Sequence, residues 1–194
     1  MKRKMKFLGC GTVLVISLFL AGCALSGPQN DFTNPNMDFS AIQTVAVLPF
    51  QNLTADDQAA ERVRDSFMGM LLATDAFYVL PPGEVARGLN RAGMRSPQTP
   101  TVEEIKAVSA ILEVQAVITG VLREYGTVRS GSAEANLVSL SLQMIETQTG
   151  SIIWSASSTK GGITMADRLL GGGGEPMNAV TEKVINDLLD KLFE

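Results

Sequence analysis

From residue 44 onward, apolar positions recur with two periods, two and about 3.6 residues, and the alternation between them lays out an α/β domain. Residues 44–48 (TVAVL) are a β-branched apolar run stopped by Pro49, as expected of a buried strand. In residues 56–74, Ala60, Val63, Phe67, Met70 and Leu71 recur at helical spacing. Residues 77–80 (FYVL), closed by Pro81 and Pro82, predict a second strand, and a short helix follows over 84–91. Thr101 and Glu104 form a capping box that opens a helix to about residue 112. Strands are expected over 116–125, 136–146 and 151–159. In the middle one, Val138, Leu140, Leu142 and Met144 alternate with Ser139, Ser141 and Gln143, the pattern of a half-buried antiparallel strand. Residues 147–150 give it a tight turn into the next. After a glycine-rich stretch, Pro176 starts a last helix with Val180, Val184, Ile185, Leu188, Leu189 and Leu192 on one face. The predicted order is β-α-β-α-α-β-β-β-α. It describes a single mixed sheet of about five strands packed with helices, without repeats or a second domain.

The first 40 residues follow neither period. Lys2, Arg3, Lys4 and Lys6 precede an apolar run from 7 to 20, and Leu20, Ala21, Gly22 and Cys23 come next. This is the layout of a secretory signal ending in a lipobox, with Leu20, Ala21 and Gly22 read by the signal peptidase and diacylglycerol attached to the Cys23 sulfur. The apolar run, about 14 residues, is shorter than the ~20 a helix needs to cross a bilayer. Two or three acyl chains anchor stably where one binds marginally. Ala24, in place of Asp, leaves no inner-membrane retention signal, so the expected location is the periplasmic face of the outer membrane. Residues 24–38, rich in Pro and Asn, read as a flexible tether. The expected organisation is therefore a signal peptide over 1–22, a lipidated cysteine and tether over 23–40, and the α/β domain over 41–194.

Charge and chemistry narrow the function. With the four signal cations removed, 12 basic residues face 20 acidic ones, a net charge near −8 that disfavours nucleic acid. The sequence contains no histidine, which excludes Ser–His and Cys–His nucleophile pairs and His-bearing zinc sites. Cys10 leaves with the signal, so the mature chain has no disulfide partner for Cys23. No cofactor is implied beyond the covalent lipid on Cys23. The glycines at 161–162 and 171–174 lack the Lys of a phosphate cradle and are followed by Glu175. Glu61, Asp65, Glu103 and Glu104 sit on expected helices as solvated faces, and no motif pairs them for hydrolysis. Met68, Met70, Met144 and Trp154 fit core positions. Ile163, Met165, Leu169 and Leu170 lie in the glycine-flanked stretch and admit two readings: folding back onto the core, or docking onto a partner or neighbouring subunit.

Residues 44–54 (TVAVLPFQNLT), 117–120 (VITG) and 146–154 (ETQTGSIIW) resemble the CsgG-like lipoprotein superfamily, which includes the curli export channel, LpoB and relatives with a TolB N-terminal-like α/β domain. The resemblance extends from about residue 42 to 194. It implies a sandwich-like α/β fold and a non-enzymatic role: binding an envelope or periplasmic protein in cell-envelope assembly or secretion, or acting as a subunit of a homo-oligomeric ring or export complex. The chain departs from the curli channel at 125–136, which is too short and polar for a membrane-spanning barrel strand. A periplasmic enzyme is the third class, without a motif in its support.

Overall fold

A computed structural model of the chain describes residues 31–131, 133–163 and 174–194. Leu20, Ala21, Gly22 and Cys23 lie outside the described residues, as do Met165, Leu169 and Leu170. Among those described, the elements are β1 (Asp31–Thr33), β2 (Thr44–Val47), β3 (Gln51–Asn52), α1 (Ala59–Ala73), β4 (Tyr78–Val79), α2 (Pro82–Arg91), α3 (Val102–Leu112), β5 (Ala116–Ser130), β6 (Ala133–Glu146), β7 (Ile152–Gly161) and α4 (Met177–Phe193), with a 3-10 turn at Phe39–Ala41. The strands form one sheet in the order β1-β7-β6-β5-β2-β4, and β3 pairs with β5 beyond the end of β2. β2 runs parallel to β4 and β5, whereas the β5–β6–β7–β1 half is antiparallel.

The helices cover both faces. Val63, Phe67 and Leu71 of α1 and Val180, Val184 and Leu188 of α4 pack on Val45, Val47, Ile118, Leu140, Leu142, Met144 and Trp154. On the other face, Val85 and Leu89 of α2 and Ile105 and Val108 of α3 pack on Ala46, Leu48, Val117 and Ile145. β2 is therefore apolar at every position from Val45 because both its faces are buried, whereas β6 alternates. The serines of β6 pair across the sheet with hydroxyls of β7, Ser139 with Thr159 and Ser141 with Ser157, both at 2.8 Å. The capping box at α3 is formed: Glu104 N donates to Thr101 Oγ1 at 3.2 Å and Thr101 N to Glu104 Oε2 at 2.8 Å.

The sheet is wider than the five strands expected, because two short strands carry no periodic signal. Pro49 interrupts β2, and the chain then rejoins β5 as β3, at Val121 and Leu122. β1 lies in the stretch read as tether and is held by three residue pairs to β7. Met37 and Phe39 then pack against the core and Ile42 is buried. Residues 31–40, read from sequence as part of the tether, are thus part of the folded domain. β5 and β6 also run past the predicted 125 and 136, as a hairpin extending to Ser130 and Ala133. An antiparallel ladder is built by backbone groups, so polar side chains do not end it.

The topology gives the domain two unlike ends. At one, the β5–β6 hairpin projects beyond Gly161, the last residue of β7. β1 is antiparallel to β7, so its first residue, Asp31, is the one nearer this end. At the other end lie the starts of β2, β4 and β5, the 147–150 turn and the last turn of α4.

Candidate interaction surface

The second end carries an apolar groove of about 540 Å³ between the 3-10 turn, the C-termini of α1 and α4, and β4. Phe39, Ile42, Leu72, Phe77, Tyr78, Leu192 and Phe193 supply its apolar lining, and Gln43 and Asp75 its polar edge. A second cleft of about 530 Å³, lined by Met70, Ala73, Thr74, Leu189 and Asp190, shares Phe193 with it. Leu72, Tyr78 and Phe193 are 53%, 64% and 46% exposed, so three large apolar or aromatic side chains face solvent together. β4 ends the strand order beside them, leaving a sheet edge next to the groove.

The groove is built on fixed parts. α1 stops at Thr74, whose hydroxyl donates back to Leu71 O at 2.7 Å, and Asp75 turns the chain with a φ of 55°. The Phe77 and Phe193 rings stack at 6.0 Å, tying the entry of β4 to the last turn of α4. That last turn is itself pinned: Trp154 Nε1 donates to Lys191 O at 3.1 Å, and Lys191 Nζ donates to Ser157 O at 3.0 Å and Asp187 Oδ2 at 2.8 Å. Asp187 also pairs with Lys160. Burial alone would raise the Asp187 carboxyl, but the hydrogen bonds from both lysines outweigh it and bring the pKa down to about 2.

At the same end of the sheet, the motif at 146–154 proves to be a latch. Glu146 accepts from Gln148 N at 2.6 Å, from Thr149 N at 2.8 Å and from Thr149 Oγ1 at 2.6 Å. These bonds hold its carboxyl below the usual range against the opposing effect of burial. Gly150 closes the turn with a φ of 76°. Thr147 N donates to Gln115 O at 3.0 Å, and the Gln115 side chain accepts from Thr44 N at 2.7 Å. The turn, β5 and β2 are thereby fastened side by side. In the 117–120 motif, Gly120 exists for packing: a Cβ there would stand 2.6 Å from Phe50 and 2.8 Å from Leu142. Residues 52–54, at the end of the 44–54 motif, form a turn, with Asn52 Oδ1 accepting from Thr54 N at 3.0 Å.

Of the expected docking residues only Ile163 is described, and it does not reach this groove. Ile163, half-buried, follows β7 at the hairpin end of the domain, opposite the groove. Met68, Met144 and Trp154 are core residues, as expected, and Met70 packs against the core. Glu61, Asp65 and Glu103 are exposed on their helices. Among the described residues no cluster of His, Cys, Asp and Glu is placed to hold a metal, and no helix is long and apolar enough to cross a membrane. The surface is suited to burying apolar side chains. Sequence reading missed Leu72, Tyr78 and Phe193. The available signal was that Leu72 and Phe193 are apolar yet fall off the stripes of their helices.

The fold defines a class: a small α/β domain built on one mixed sheet with helices on both faces. The family model of GNA1162-like lipoproteins matches residues 31–194, and the chain belongs to that family. A search among curated proteins finds no match. Among solved structures, the fold resembles the PelC dodecamer from Paraburkholderia phytofirmans, with a TM-score of 0.56 and 16% identity, covering 85% of this chain and 98% of that one. It also resembles lipoprotein GNA1162 from Neisseria meningitidis, with a TM-score of 0.52 and 21% identity, covering 76% of this chain and 99% of that one.

Proposed function

We propose that this chain is a non-enzymatic lipoprotein, cut before Cys23 and held by acyl chains at the periplasmic face of the outer membrane. Its α/β domain binds a protein partner in cell-envelope assembly or secretion, through the groove around Tyr78 and Phe193. The single observation that carries the reading is the cluster of Leu72, Tyr78 and Phe193, exposed over a groove whose walls are hydrogen-bonded and stacked in place. Solvent exposure of three such side chains is costly in a lone domain and is the usual mark of a docking site. β1 runs toward the end that carries the groove, which supports a domain anchored at Cys23 presenting the groove outward from the membrane.

A photo-crosslinking residue in place of Tyr78, in cells carrying the full lipoprotein, tests this. The expected result is one discrete adduct with another envelope protein, lost when Leu72→Asp is added. A Tyr78 probe that gives the same products with and without Leu72→Asp would overturn it. The likeness to a dodecamer favours a second reading, in which the surface meets further copies of the chain. Native mass measurement of the detergent-solubilised protein separates the two: a stable assembly of many copies supports the second, and a monomer that still crosslinks supports the first.

A further inference from the structure

We infer that the segment received by the groove is cationic as well as apolar: a stretch of partner polypeptide whose Leu- or Phe-like side chains are flanked by Lys or Arg. This rests on the docking role proposed above and adds the chemistry of the occupant. The two clefts meet at Phe193, and the charged residues in their linings are Asp75 in the first and Asp190 and Glu194 in the second. Neither lining holds a lysine or an arginine. All three acidic residues are exposed, and among the described residues none of them belongs to an ion pair. Lys191, the cation of the adjoining helical turn, is turned to Asp187 and to the Ser157 carbonyl, at 2.8 and 3.0 Å.

Carboxylates beside an apolar surface are stable while water covers them. A segment that fills the clefts displaces that water, and the displacement is unfavourable unless a positive group takes its place. A segment flanked by acidic residues would add like-charge repulsion to the same cost. The aromatic lining acts in the same sense. Tyr78 and Phe193, 64% and 46% exposed, carry ring faces that attract ammonium and guanidinium groups.

The division of labour follows from these placements. Apolar side chains seated among Phe39, Leu72, Phe77 and Leu192 supply the affinity, since burial of apolar area is what the groove offers. Lysines or arginines on either side meet Asp75 across one cleft and Asp190 and Glu194 across the other, and so fix which segments are accepted and in what register. Because these carboxylates are exposed, the charge preference is screened by salt, whereas the apolar part is not.

The test uses the full mature protein in phosphatidylcholine nanodiscs, with empty nanodiscs as the blank. Two short fluorescent peptides share a Leu-Ser-Phe-Ser-Leu core, one flanked by lysines and the other by glutamates, and binding is read by anisotropy. The lysine-flanked peptide should bind several-fold more tightly, and added salt should narrow the gap. Asp75→Asn combined with Asp190→Asn should narrow it too without weakening the glutamate-flanked peptide; Asn accepts the φ of 55° at position 75, so the fold is kept. Equal binding of the two peptides, or a gap that the double variant leaves unchanged, overturns the cationic occupant and leaves the docking role standing. Binding of neither peptide, with the Tyr78 adduct still formed in cells, likewise overturns only the cationic segment. Loss of that adduct as well sinks both.

Discussion

Gly120 and Asp187 show how single residues set the conditions for the surface. Gly120→Ala forces Phe50 and Leu142 apart in a closed core, and overpacking of this kind costs on the order of 1–3 kcal/mol, measurable as a lower urea midpoint with an unchanged slope. Asp187 has its folded pKa depressed from 3.8 to about 2, so its ionised form favours the folded state. That contribution is complete above about pH 4 and disappears as pH falls through 2, and its size is about 2 kcal/mol. Asp187→Asn should therefore lower stability at pH 7 while leaving it nearly unchanged at pH 2, when unfolding is followed across that range. Because Asp187 holds Lys191 and Lys191 precedes the groove residues Leu192 and Phe193, the same substitution should loosen the groove. Hydrogen exchange confined to the last turn of α4 would report it.

At the scale of elements, what could be read from sequence was whatever burial writes into side chains. β2, α1, α3, β6 and α4 bury regular faces, and each stands within a few residues of its expected place. The capping box was legible because its chemistry is local, and Thr101→Ala should cost about 1 kcal/mol of stability in thermal unfolding. β1, β3 and the outer part of the β5–β6 hairpin escaped because backbone pairing alone creates them. Phe32, the one large apolar residue of β1, stays 49% exposed, so no pattern announces the strand. The groove was illegible for a related reason. It is assembled from Phe39, Leu72, Tyr78 and Phe193, residues far apart in sequence, and an apolar side chain that faces solvent looks in sequence like one that faces the core. Ile163, Met165, Leu169 and Leu170 stand out in sequence by a glycine-rich context, which says nothing of where a fold places them.

For the whole molecule, the separation of the two ends makes a prediction that neither end makes alone. Phe193→Asp, at the groove, should abolish partner crosslinking at Tyr78 while leaving membrane fractionation unchanged, whereas Cys23→Ser should release the protein from the membrane and leave the folded domain intact by circular dichroism. Loss of both properties in either variant would contradict the division. The three-pair join of β1 to β7 has a mechanical consequence as well. Tension applied along the axis of β1, between an anchored lipid and a bound partner, loads those pairs together, in shear, and does not peel them one by one. Should they give way, the leash lengthens by the six residues from Asp31 to Met37, whose side chain packs against the core, reaching at most about 20 Å further. The first strand then acts as a clasp, short-coupled at rest and extended under load.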